Sequence, residues 1–291
     1  MNPHLSLNPV SDLHQMLVYP FMAHALAAGT IVAVMASVAG WFMVLRRETF
    51  AGHTLSAMSF PGASAAVLAG LPLAAGYFAF CTIGALLIAA GSRTAGRRDT
   101  AQESAVIGSV QAAALALGFL FLSLYGGVLV DLESLLFGSF LGITAGQVWT
   151  LAAIMIGVVA FFAIVGRPLL YSSVDELAAS ARGVRVRLLH IAFLVVLGLA
   201  VAATAQITGV LLVFALLVAP AAAAQQLTAR IPLSLALSVV FALAIIWIGL
   251  TLAYFGNYSV GFYVSTIAFA LYVVCRGGRT LARRALQPAA A

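Results

Sequence analysis

Long apolar runs separated by short polar breaks dominate the chain from residue 19 to residue 275. A helix that crosses a bilayer needs about 20 mostly apolar residues, and these runs are close to that length. They predict an all-α, polytopic transmembrane helical bundle of about nine spans, with boundaries near 19–45, 55–74, 75–90, 105–124, 148–165, 188–205, 208–227, 234–254 and 260–275.

The amino-acid composition also indicates that the chain is embedded in lipid. Hydrophobic residues make up 64% of the 291 residues and charged residues only 8%, against about 25% charged residues in a soluble domain. A soluble core of this size could not bury so much apolar surface. Membrane lipid is therefore an expected partner of this chain.

The positions of the basic residues predict the membrane topology of the chain. All 14 are arginines, and with the N-terminus outside and an odd number of spans every one falls on the same side. Short cytoplasmic loops collect arginine, so this side is the cytoplasm. The prediction is an extracytoplasmic tail over 1–18, a transmembrane domain over 19–275 and a basic cytoplasmic tail over 276–291. The arginines form no continuous stripe, which argues against a nucleic-acid partner.

Several kinds of chemistry are excluded on this chain. A P-loop needs a lysine to reach the phosphates, and the sequence has none. The sequence has no HExxH motif, no nucleophile elbow and no paired carboxylates within a span, so we predict a protein that is not an enzyme. If ATP drives it, the ATPase is a separate subunit. Cys81 and Cys275 are expected to be buried and free.

The most polar internal segment is YSSVDELAASARGVRVR, residues 171–187. Ser172 or Ser173 can cap a helix with Asp175 and Glu176 in its first turn, and Gly183 can end it. The pattern predicts a short cytoplasmic amphipathic helix over about 172–186. It is either a solvated loop helix or a docking element for a cytoplasmic partner.

A second polar segment, RRETFAGHTLSAMSFPG, covers residues 46–62. It places His53 near the start of a span, where an ionisable group needs a cavity or a partner. His53 is therefore either a packing residue or a metal ligand. Asp131 and Glu133 lie in the longer outer passage 125–147, where they either line a cation-attracting vestibule or belong to a solvated loop. His190 is expected to be interfacial.

Four segments together resemble one known family. The run LRRETFAGHTLSAMSFPG resembles LRR-x-x-F-x-GDALSHA-x-LPG, a segment of the ABC-3 family, the permeases of zinc, manganese and iron ABC importers. The other three matches, in the family's order, are DLESLLFGSFLGIT at 131–144, VDELAASARGV at 174–184 and ITGVLLVFALLVAPAAAAQQL at 207–227.

The resemblance implies a homodimeric permease in a prokaryotic inner membrane, with cytoplasmic ATPase subunits and an extracytoplasmic metal-binding protein as partners. The chain itself would bind no cofactor: zinc or manganese would be its cargo, and ATP would be used by the partner subunit. The segment near 172–186 would be the helix that couples to the ATPase. Its contact candidates are Asp175, Glu176, Ala179, Arg182 and Gly183.

One position departs from the family pattern. The family has an aspartate and a histidine four residues apart as metal ligands, and these positions are His53 and Ala57 here. Either His53 works with ligands from elsewhere, with Glu48, Met58 and Cys81 as candidates, or the path has no strong site, or the substrate differs. An ATP-independent carrier or channel and a non-transporting scaffold subunit therefore remain alternatives to a metal importer.

Overall fold

The computed structural model describes residues 18–91, 100–125, 138, 142–256 and 258–286. Within these ranges the chain forms ten α-helices and no strand. They are α1 (Pro20–Leu45), α2 (Thr49–Ala69), α3 (Leu73–Gly91), α4 (Thr100–Tyr125), α5 (Ala145–Val174), α6 (Glu176–Ala181), α7 (Val186–Thr208), α8 (Val210–Leu227), α9 (Ile231–Phe255) and α10 (Val260–Leu286). The predicted all-α class is confirmed.

The helices pack around α1, which contacts α5, α7, α8 and α9. Helix α2 packs mainly against α3 and α4, and also against α7 and α8. Glycines allow the closest approaches: a Cβ on Gly62 of α2 or on Gly76 of α3 would overlap the carbonyl oxygen of the other glycine. Close backbone contact of this kind is typical of helices that associate in a membrane.

The surface of the bundle is apolar. Large side chains such as Trp149, Ile164 and Phe269 are 78%, 77% and 69% exposed. Such a surface is stable only against lipid or another apolar partner. Among the described residues, seven helices are long and apolar enough to cross a membrane, namely α1, α3, α4, α5, α7, α9 and α10. The chain is therefore a multi-pass membrane protein.

Helices α2 and α8 differ from those seven. Helix α8 contains a shorter apolar stretch, Leu212–Leu227, and α2 carries buried hydroxyl side chains at Thr54, Ser56, Ser59 and Ser64. Each has a proline in its interior, as α5 also has at Pro168. The count of about nine spans and the orientation of the termini stay predictions.

Some helix boundaries differ from the predicted ones. Helix α2 begins at Thr49, six residues before the predicted span. It is followed by the C-cap residue Gly70, whose φ of 67° is left-handed and suits glycine. The predicted cytoplasmic tail is largely helical, because α10 continues to Leu286. Cys81 and Cys275 are free and buried, as predicted. The predicted outer tail, apart from residue 18, lies outside the described residues.

Candidate functional site

The side chain of His53 lies inside the bundle on the second turn of α2. It is half-buried, and its Nδ1 atom is buried without a hydrogen-bond partner. The imidazole meets the Phe214 ring of α8 edge to face, with 4.9 Å between centroids. An imidazole nitrogen without a protein partner can accept a proton or bind a metal ion. His53 thus has the free ligand atom that a metal-binding role requires.

A break between two helices lies next to His53. Only Gly209 separates α7 from α8, and its φ of 74° and ψ of 162° stop the helix. Ser56, three residues after His53, donates its hydroxyl hydrogen to the carbonyl oxygen of Val210 at 2.7 Å. Inside a membrane, broken helices are tolerated where protein groups or a cavity satisfy the freed backbone atoms. Transporters build substrate sites at such breaks.

Gly138, from the predicted outer passage, also lies at this break. Gly138 has a φ of 76°, and a Cβ there would lie 2.5 Å from the carbonyl carbon of Thr208 and 2.6 Å from the amide nitrogen of Gly209. Only a glycine allows this approach. The predicted vestibule residues Asp131 and Glu133, from the same passage, lie outside the described residues.

The other candidate ligands do not join His53. The Cys81 Sγ atom lies 3.3 Å from the Ser59 hydroxyl oxygen and 3.5 Å from the Leu55 carbonyl oxygen. Met58 packs against Gly84 of α3. In the part of the chain that the structure describes, no three His, Cys, Asp or Glu side chains come together as a metal cluster. Ala57, one turn after His53, supplies no ligand atom.

Glu48 is engaged elsewhere. Its Oε1 atom lies 3.0 Å from Arg46 Nε and 3.4 Å from His190 Nδ1. Burial raises the pKa of the Glu48 carboxyl, but the hydrogen bond with His190 and the charge of Arg46 outweigh burial, so that the pKa lies below its usual value of 4.5. The carboxylate is therefore ionised at neutral pH. Sequence reasoning missed this cluster, because it treated Glu48 as a possible ligand and His190 as interfacial.

The predicted coupling segment forms the short helix α6. Its cap is Asp175, whose Oδ1 atom accepts a hydrogen bond from the Ala178 amide at 2.9 Å, and not Ser172 or Ser173, which belong to α5. Gly183, with a φ of 81°, follows the end of the helix as predicted. Ser172 and Ser173 do not cap α6, because α5 continues through them to Val174.

The surface of α6 is partly apolar. Val174 and Leu177 are 89% and 75% exposed, beside the exposed Asp175. Arg182 is exposed and lies over the Tyr171 ring, 5.0 Å from its centroid. Ala179 is fully buried, so in this conformation it contributes to the packing of α6 and not to an outer surface. An exposed patch of this kind suits a protein partner.

Comparison with known proteins places the chain in a family. Residues 18–276 match the profile of the ABC 3 transport family. The manganese transport system membrane protein MntC of Halalkalibacterium halodurans is 31% identical over 227 residues, which cover 78% of this chain and 76% of that protein. A protein of Haemophilus influenzae named as a probable iron transport system membrane protein is 28% identical over 263 residues, covering 89% and 93%.

A solved structure has the same fold. In PsaBC from Streptococcus pneumoniae in complex with Fab, one chain matches with a TM-score of 0.79 and 25% sequence identity. The match covers 91% of this chain and 94% of that chain. The arrangement of helices described above is thus shared along almost the whole length of both proteins.

Proposed function

Because the chain belongs to the ABC 3 transport family, we propose that it is the membrane permease subunit of an ATP-driven importer for divalent transition metal ions. Relatives named for manganese and iron transport support metal as the cargo. The observation that carries the proposal is the partnerless Nδ1 atom of His53 beside the helix break at Gly209. A membrane helix keeps such a group where an ion passes.

Manganese and zinc are the proposed cargo ions. The names of several relatives favour manganese, whereas an imidazole at the family's aspartate position is a softer ligand and favours zinc. The ion would be held by His53 together with backbone oxygen atoms or water, since Ala57 gives no side-chain ligand. Asp131 and Glu133 would attract cations at the outer opening.

Helix α6 is the proposed contact with a cytoplasmic ATPase. The exposed residues that flank it, Asp175, Arg182 and Gly183, together with Glu176 within it, would meet the ATPase. The exposed apolar side chains of Val174 and Leu177 would be covered by the same partner. The proposed assembly also contains a second copy of this chain and an extracytoplasmic metal-binding protein. We propose that this chain has about nine spans, an outer N-terminus and a cytoplasmic C-terminus.

The test is transport by the assembled complex. The chain would be purified with the ATPase that accompanies it, reconstituted into vesicles in the presence of the extracytoplasmic metal-binding protein, and supplied separately with Mn²⁺, Zn²⁺ and Fe²⁺ with and without ATP. We expect ATP-dependent accumulation of manganese or zinc. Accumulation that needs no ATP would identify a carrier or channel, and the absence of any metal movement would favour a scaffold subunit, which the missing ligand at Ala57 supports.

The docking surface has its own test. Glu176→Arg is expected to reduce copurification of the ATPase, because it reverses a charge on α6. Arg187→Glu, a charge reversal of an exposed residue outside α6, is the matched control. Equal recovery of the ATPase with wild type and with Glu176→Arg would contradict the docking role.

A further inference from the structure

The Arg46 side chain joins three parts of the chain at one buried point. It is 2% exposed. Its Nε atom donates to Glu48 Oε1 at 3.0 Å, its Nη1 atom donates to the hydroxyl oxygens of Ser172 and Ser173 at 3.4 Å each, and its Nη2 atom lies 3.3 Å from His190 Nδ1. One guanidinium group therefore contacts the α1–α2 turn, the last turn of α5 and the second turn of α7.

The neighbouring groups determine which atoms donate and which accept in these contacts, and they orient the guanidinium. Both serine hydroxyls donate to the carbonyl oxygen of Leu169, at 3.0 Å and 2.6 Å, so their lone pairs are left for the guanidinium. The Phe193 ring of α7 lies against the guanidinium face, 4.9 Å from its centroid to the Arg46 Cζ atom. Only arginine combines a planar, stacked face with several donors at its edge. A lysine could not replace it.

Helix α6 lies between the two helix ends that Arg46 bridges. Helix α5 ends at Val174 directly before α6, and α7 begins at Val186 shortly after it. A helix of six residues cannot move far without moving these flanking ends. A displacement of α6 therefore reaches the guanidinium through Ser172 and Ser173 or through His190.

The other side of the cluster is attached to the candidate metal site. Arg46 ends α1 and Glu48 precedes α2, and between them Arg47 is exposed with a φ of 61°. The Glu48 carbonyl oxygen accepts the hydrogen bond of the Gly52 amide at 3.0 Å, next to His53. The α1–α2 turn thus buries the paired side chains of Arg46 and Glu48. The hydrogen bond between Glu48 and Gly52 connects this pair to the first turn of α2.

The cluster is not fully satisfied in this conformation. Glu48 Oε2 and His190 Nε2 are buried and have no hydrogen-bond partner. Buried polar atoms without partners are rare and disfavoured. A rearrangement of the same side chains that pairs these atoms would remove this cost, so the cluster can respond to a displacement of α6.

Given the proposed transport function, on which this inference depends, we propose that Arg46 and Glu48 are positioning residues that transmit the displacement of α6 to α2 and so to His53. They do not touch the ion. When a partner moves α6, the α5 and α7 ends shift the guanidinium, and the ion pair turns the start of α2. ATP hydrolysis is coupled to ion passage through this contact.

The experiment measures the number of metal ions accumulated per ATP hydrolysed by the reconstituted complex. For Arg46→Gln we expect this ratio to fall about fivefold or more, the lower end of the usual coupling between distant sites, while hydrolysis without metal continues. Arg47→Gln, which removes the exposed neighbouring arginine, is the matched control and should leave the ratio unchanged. A merely structural role would lower the amount of folded complex without changing the ratio.

The outcomes separate the two proposals. If the wild-type complex accumulates no metal, the transport function is wrong. If wild type accumulates metal and Arg46→Gln gives the same ratio, the relay is wrong. Should Arg46→Gln not assemble, the variant Ser172→Ala, Ser173→Ala, His190→Ala decides, because it removes the α5 and α7 contacts of the guanidinium and keeps the Arg46–Glu48 pair. A lowered ratio supports the relay, and an unchanged ratio overturns it.

Discussion

Two polar regions interrupt the apolar interior, and they are built in opposite ways. Around Arg46, charged groups of both signs lie within 3.4 Å of one another and form a buried network. Around His53, the imidazole contacts the Phe214 ring, the nearby Ser56 contacts the helix break, and the Nδ1 atom of His53 has no partner. In the first region most charged groups are paired with one another, whereas in the second region one possible ligand atom has no partner.

This difference separates two uses of buried polarity: the network around Arg46 holds helix ends in position relative to one another, whereas the atom at His53 is left for a ligand. A paired network stabilises one packing arrangement only if its members stay together, because each unpaired charge is costly in a medium of low dielectric constant. A lone polar atom beside a helix break gives no such stabilisation. Variants at His53 should therefore change transport more than stability, and variants of Glu48 should change stability as well.

The largest effect is expected for His53→Ala. Loss of the available Nδ1 atom should lower metal uptake by about tenfold or more, the scale usual for groups that hold a metal, while the melting temperature of the purified protein changes little. His24→Ala, on α1, is the matched control. Uptake by His53→Ala equal to wild type would remove His53 from the transport path.

The reverse change should strengthen the site. Ala57 lies four residues after His53 on the same face of α2, so Ala57→His places a second imidazole beside the first. We expect metal affinity of the purified protein, measured by titration calorimetry, to rise about tenfold, or about 1.4 kcal/mol, because the added imidazole supplies a second nitrogen ligand on the same helix face. Ala57→Leu adds bulk without a ligand and should not raise it.

A smaller effect concerns pH and stability. The pKa of Glu48 is lower in the folded protein than its usual 4.5, so the unfolded chain takes up this proton first as the pH falls. The stability that Glu48 contributes is thus present above 4.5 and is lost as the pH falls through the folded pKa. In melting curves, wild type and Glu48→Gln should differ most at neutral pH and converge below 4.5.

The smallest effect is expected at the cap of α6. Asp175→Ala removes the acceptor for the Ala178 amide, which costs about 1 kcal/mol. Hydrogen exchange in α6 should become about fivefold faster at this cost. Asp175→Asn keeps a capping oxygen and should exchange like wild type. If Asp175→Ala exchanges at the same rate as wild type and Asp175→Asn, the cap contributes nothing to the stability of α6.

The sequence predicts the bundle well because lipid imposes a simple rule on composition. Every membrane helix must be long and apolar, so runs such as 148–165 and 234–254 mark α5 and α9 directly. The predicted start of α2 lies six residues late, because Thr49, Gly52 and His53 interrupt the apolar signal at the beginning of the helix. The family resemblance, which rested on the run 46–62 and three others, is confirmed.

The sites were less predictable. Asp175 and the two serines before it are all good caps, and only the continuation of α5 decides between them. The contact between Arg46 and His190 joins residues 144 positions apart, which no local pattern reveals. His53 was recognisable as a buried ionisable residue, but its neighbour Phe214 was not, because it belongs to another helix.

The single residue between α7 and α8 has a mechanical consequence. Helix α8 has 18 residues, so it is about 27 Å long at 1.5 Å per residue. A rotation of about 10° about the two dihedral angles of Gly209 would swing its far end by about 5 Å. That end is held by Gln225, which donates to the Trp41 carbonyl oxygen, and by Gln226, which accepts from Arg279. The direction of α8 is thus set at one end by the dihedral angles of Gly209 and at the other by these two hydrogen bonds.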